Sequence, residues 1–94
     1  MKAIWNGEVI AESEDTIVVD GAHYFPINKV NMNLLKESSH KTVCPYKGQA
    51  SYYNIEINGQ TNKNSAWYYP TIKTESMKDI AGRIAFWNGV KVEN

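Results

Sequence analysis

Four dipeptides punctuate the chain: Asn6-Gly7, Asp20-Gly21, Asn58-Gly59 and Asn88-Gly89. Each pairs residues that tolerate the positive φ of a type I′ turn, whose twist matches that of two flanking antiparallel strands. Lys2-Ala3-Ile4-Trp5 and Glu8-Val9-Ile10-Ala11 flank the first turn and give a hairpin over residues 2–12. Glu12-Ser13-Glu14-Asp15 is a polar connection. Thr16-Ile17-Val18-Val19 is β-branched and strand-like, and Asp20-Gly21 returns it into His23-Tyr24-Phe25. Pro26 ends that strand, because proline cannot donate to a central ladder.

From Ile27 to Ser39 the period changes. Val30, Leu34 and Leu35 fall at i, i+4 and i+5, which predicts one or two helical turns with Met32 nearby. Asn28, Asn31 and Asn33 keep that element short and partly 3₁₀. Lys41-Thr42-Val43 leads into a central turn, and Ser51 to Ile57 then alternate. Ser51, Tyr53, Ile55 and Ile57 are assigned to a buried face, with Tyr52, Asn54 and Glu56 opposite. Beyond Asn58-Gly59, Thr61 to Ser65 read as a polar edge or loop. Ala66-Trp67-Tyr68-Tyr69 is an aromatic strand that Pro70 stops. Thr74 or Ser76 caps a short helix through Met77 and Ile80 that ends at Gly82. Arg83 to Trp87 form a strand, and Val90-Lys91-Val92 returns after Asn88-Gly89. The ends echo each other as Trp5-Asn6-Gly7-Glu8-Val9 and Trp87-Asn88-Gly89-Val90-Lys91, so the two hairpins could pair or stack as one sheet.

The expected class is mainly β with a minor helical part, in one domain over residues 1–94. The expected architecture is a single curled antiparallel sheet or open barrel carrying one or two short helices. Ninety-four residues hold one modest core. Ten basic and ten acidic residues cancel without any Lys/Arg run, which argues against nucleic acid or an anionic membrane surface as partner. No stretch approaches ~20 apolar residues, and the first residues lack a signal peptide's apolar run. A lone cysteine forms no internal disulfide, so a reducing cytoplasm is the expected location.

Chemistry concentrates at Cys44-Pro45-Tyr46-Lys47-Gly48. A type I turn centred on Pro45 and Tyr46 brings Cys44 near Lys47, and Gly48 takes positive φ to close a four-residue loop. An ammonium beside a thiol favours thiolate. The same residues also read as a sharp turn around a small buried thiol. They further resemble a zinc knuckle whose second cysteine is Lys47, an arrangement that keeps the turn and loses the metal. No metal and no cofactor are expected, since His23, His40, Cys44 and a carboxylate match no ligand template. As catalytic candidates the stretch offers Cys44 and Lys47, with His40 four residues upstream as a possible base. The aromatic residues are more numerous than a core this small absorbs. Cys44, Tyr46, Lys47, Tyr52, Trp67 and Tyr69, with Arg83 as a second cation, would line a pocket for a small anionic or aromatic ligand. A thiol- or lysine-using enzyme at the same place, or a module that dimerises through exposed aromatics, are the other readings. A monomer and a homodimer both fit.

Six segments carry a family resemblance. They are Trp5-Asn6-Gly7-Glu8-Val9-Ile10-Ala11, Tyr24-Phe25-Pro26, Thr42-Val43-Cys44-Pro45-Tyr46-Lys47-Gly48, Ala50-Ser51-Tyr52-Tyr53, Ala66-Trp67-Tyr68-Tyr69-Pro70 and Ile80-Ala81-Gly82-Arg83-Ile84-Ala85-Phe86. In this order they resemble the bacterial family called domain of unknown function 427, over nearly the whole chain. The resemblance implies a β-tent fold, a curled antiparallel sheet also used by zinc-knuckle and methionine-sulfoxide-reductase domains. It implies no established activity. Some members carry a nucleotidyltransferase label, but that chemistry needs paired carboxylates for Mg²⁺ and a Gly-rich phosphate cradle. The only acidic cluster here, Glu12-Ser13-Glu14-Asp15, has no such loop beside it.

Overall fold

The computed structural model describes all residues, 1–94, and its turns fall where the dipeptides place them. Asn6, Asp20, Asn58 and Asn88 take φ of 53°, 52°, 51° and 54°, each followed by a glycine at positive φ. Nine strands result: β1 Lys2–Trp5, β2 Glu8–Glu12, β3 Ile17–Val19, β4 Ala22–Tyr24, β5 Leu35–Cys44, β6 Gly48–Ile57, β7 Gln60–Tyr68, β8 Ala85–Phe86 and β9 Lys91–Glu93. They form three antiparallel sheets, ordered β2-β1-β9, β3-β4 and β5-β6-β7-β8, and none closes into a barrel. The helical part is three short 3₁₀ segments, Ile27–Lys29, Met32–Leu34 and Glu75–Ile80. No helix is long and apolar enough to cross a membrane.

Three local expectations need correction. Leu35 to Ser39 are not helical; they open the ten-residue β5, paired from Leu35↔Ile55 to Cys44↔Gly48. As the outer strand of its sheet, β5 is exposed along most of its length and carries no alternation to read. Asn88-Gly89 turns the chain but makes no hairpin. Trp87 N donates to Ser65 O and stays with β7, while β9 crosses to pair with β1 through Lys2↔Glu93, Ala3↔Val92 and Ile4↔Lys91. The chain ends do share a sheet, by that different route. Thr74, finally, caps no helix with its side chain; its hydroxyl donates to Tyr46 O.

The four-stranded sheet is packed on both faces, because consecutive side chains of a strand point to opposite sides. Phe25, Tyr53, Ala66 and Phe86 join the larger core with Ile10, Ile55 and Ile84. Their chain neighbours Tyr24, Tyr52, Trp67 and Ala85 join a smaller cluster with Ala50, Tyr69, Ile72 and Ile80. Phe25 and Ile84 exchange backbone hydrogen bonds at 2.8 and 2.9 Å, which clamps the β3-β4 hairpin to the strand entering β8. The face expected to be buried, Ser51, Tyr53, Ile55 and Ile57, is buried or partly buried, and Tyr52 opposite it is covered as well.

On the larger core's side Tyr53 and Tyr68 stack with centroids 5.3 Å apart. Burial first, then the neighbouring Tyr68, pushes the Tyr53 phenol up to about 12. An unfolded tyrosine ionises near pH 10. Below that pH both states are protonated and stability is full. As pH rises from about 10 towards 12 the unfolded chain ionises first, so stability falls across that window. Urea midpoints measured from pH 9 to 11.5 are expected to drop, and less steeply in Tyr53→Phe. Equal slopes for the two proteins would contradict the assignment.

Candidate functional site

A cavity of about 290 Å³ opens beside the smaller cluster, near the lower end of ligand-pocket volumes of roughly 300–1,000 Å³. Val19, Asp20, Ala22 and Tyr24 of the β3-β4 hairpin form one wall. Tyr52 from β6, Trp67 from β7 and the following Tyr69 form another, Trp87 stands at one side, and Lys47 enters from the β5-β6 turn. Tyr24 and Trp67 meet edge to face at 6.1 Å and 87°, and Trp67 and Trp87 at 6.2 Å and 89°. The Trp67 indole N–H donates to the Tyr24 hydroxyl at 3.3 Å, and the Trp87 indole N–H to Asn64 O at 2.6 Å. Burial pushes the phenols of Tyr24 and Tyr69 up, so both are neutral hydroxyls at neutral pH.

The turn that delivers Lys47 is strapped down by the segment after Pro70. Lys73 N donates to Lys47 O at 3.1 Å, and the Thr74 hydroxyl bonds Tyr46 O. Cys44 and Gly48 face each other in the ladder, so the loop is the three residues Pro45 to Lys47 and not four. Gly48 has φ 115°, a positive value as expected. The Lys47 side chain is buried, and its Nζ donates to Asp20 Oδ2 at 2.7 Å. That hydrogen bond raises the ammonium's affinity for its proton more than burial lowers it. The cationic end anticipated for the site is thus an ion pair without net charge.

Of the residues expected in a pocket, Lys47, Tyr52, Trp67 and Tyr69 line this cavity. Cys44 packs against the same cluster without being part of the wall. Backbone N–H groups of Lys47 and then Tyr46 hold its thiol below the ordinary range, and the ammonium contributes less than either. Tyr46 is 72% exposed and lies outside the cavity. Arg83 also lies elsewhere, where its guanidinium donates to Asp15 O, Tyr24 O and Asp15 Oδ2, tying down the polar connection before β3. His40 sits edge-on against Tyr52 at 4.7 Å. It cannot serve Cys44 as a base, since four residues of extended strand separate them by about 13 Å. His23 pairs with the Thr16 hydroxyl at 3.0 Å. Nowhere do three His, Cys, Asp or Glu side chains converge as metal ligands.

Asp20, Tyr24 and Trp87 were not among the expected pocket residues. Tyr24 carried a readable signal: Tyr24-Phe25 alternates faces just as Tyr52-Tyr53 does. Asp20 carried none beyond its turn, because its partner lies 27 residues away. A family model described as Domain of unknown function (DUF427) matches residues 1–94, the whole chain. No curated protein matches.

Proposed function

The chain belongs to the DUF427 family, whose description assigns no activity, and from the site alone we propose that the protein is a binding domain for a small aromatic or anionic molecule. The observation that carries this is the convergence of five rings, Tyr24, Tyr52, Trp67, Tyr69 and Trp87, on one cavity with a buried ammonium at its edge. Such sites pair a large apolar contact area with a few polar groups that fix orientation. A cytoplasmic protein, monomeric or homodimeric and without a nucleic-acid partner, belongs to the same proposal. The single thiol and the balanced charge support it.

Titration with single-ring aromatic compounds, followed by amide and indole NMR signals, tests it. Shifts are expected to cluster on the indoles of Trp67 and Trp87 and the amides of Lys47 and Gly48. Shifts confined to the far face, around Tyr53 and Tyr68, would defeat the proposal.

One observation favours a second reading, a thiol-using enzyme: Cys44 carries a sulfur held towards thiolate by two backbone N–H groups. The pH midpoint of its alkylation rate is expected to fall below that of a free cysteine measured alongside. A midpoint at or above that value would remove the enzymatic reading and leave the binding one untouched.

A further inference from the structure

The charge of the ligand follows from the inequality between Lys47 and Asp20. The lysine side chain retains 10% of its exposure and the aspartate 78%, with Nζ and Oδ2 2.7 Å apart. A carboxylate that exposed exchanges its partner for water at little cost, as surface ion pairs do. The buried ammonium has no such alternative and requires an anion. Nζ carries three N–H donors and spends one on the protein, to Asp20. Asp20 itself stands at the tip of a hairpin that forms a separate two-stranded sheet, so no ladder hydrogen bond fixes that tip to the rest of the fold.

We infer that Asp20 is a displaceable counter-ion, and that the cavity takes a small aromatic monoacid whose carboxylate replaces Asp20 on Lys47. This rests on the reading of the cavity as a binding site. The ring of the acid packs against the aromatic wall in which Tyr24 and Trp67 meet edge to face. Aromatic walls also attract cations. A cationic ligand, however, would sit beside the fixed ammonium and compete with it for the one carboxylate in the wall. An acid gains the ammonium and releases Asp20 into water.

Benzoate, benzamide and benzylammonium, titrated into the parent and Asp20→Asn by calorimetry, separate the possibilities. Asparagine is at home at positive φ in a turn before glycine, so the variant keeps its hairpin, and a thermal melt checks it. Benzoate is expected to bind the parent more tightly than benzamide. In Asp20→Asn its affinity should rise about tenfold, as the competing carboxylate is gone. Benzamide should bind both proteins alike, and Lys47→Met should abolish the preference for benzoate. Benzoate affinity that is unchanged or lower in Asp20→Asn, or benzylammonium binding tighter than benzoate, overturns the inference while leaving the site standing. Failure of all three compounds to bind either protein overturns the site as well.

Discussion

Phe25→Ala is expected to lower the unfolding free energy by about 3–5 kcal/mol, as loss of a buried phenylalanine does. Phe25 is fully buried and meets Phe86 edge to face at 5.7 Å. Its backbone is also one half of the clamp with Ile84, so the space left behind is rimmed by atoms that the β3-β4 hairpin holds in place. Little collapse is open to it, which puts the cost towards the upper end. For a domain whose total stability lies in the range of about 5–15 kcal/mol, that is a large fraction. Urea unfolding with Phe25→Leu as the milder comparison measures it. A loss under about 1.5 kcal/mol, the usual ceiling for a volume-conserving swap, would mean that Phe25 is not the anchor described.

Gly48→Val is expected to cost about 1–3 kcal/mol, from backbone strain at a φ that a β-branched residue resists. Steric overlap is not the cause. A Cβ at this position would meet Thr71 O at 3.5 Å and a Lys73 side-chain carbon at 3.8 Å, both ordinary contacts. Lys47→Met should differ sharply from its neighbour. Nζ bonds no carbonyl of the turn, and the Asp20 it leaves behind is already largely in water. A change within about 1 kcal/mol is therefore expected, the scale of an exposed pair. Equal damage from both substitutions would make the lysine a structural part of the turn.

The turns were legible because their chemistry is local: an Asn-Gly or Asp-Gly step fixes its own backbone. The mainly β character followed from them and from the runs between. What was not legible was non-local. β5 is polar along Lys36 to Thr42 because it is an exposed edge, and an exposed edge writes no pattern. The first half of β7 is polar for a similar reason, having β6 on one side and no strand opposite until Ala66 meets Phe86. The choice of β1 as partner for β9 is a tertiary decision that no dipeptide encodes. At the site, Lys47, Tyr52, Trp67 and Tyr69 could be named by type, whereas Asp20, Tyr24 and Trp87 enter through the fold.

Because the four-stranded sheet and its flanking strands pack on both sides, each cavity ring is the chain neighbour of a residue packed in the larger core: Tyr24 of Phe25, Tyr52 of Tyr53, Trp67 of Ala66, Tyr69 of Tyr68 and Trp87 of Phe86. Such a framework leaves an evolving lineage an uneven set of options. Exchanging one ring for another retunes the cavity at a single position. Shifting a strand to widen it drags a core side chain out of register on the far side. Change in the lining of the cavity should therefore proceed by side-chain replacement on a nearly immobile backbone, with the hairpin tip that carries Asp20 as a stretch where insertions are cheap.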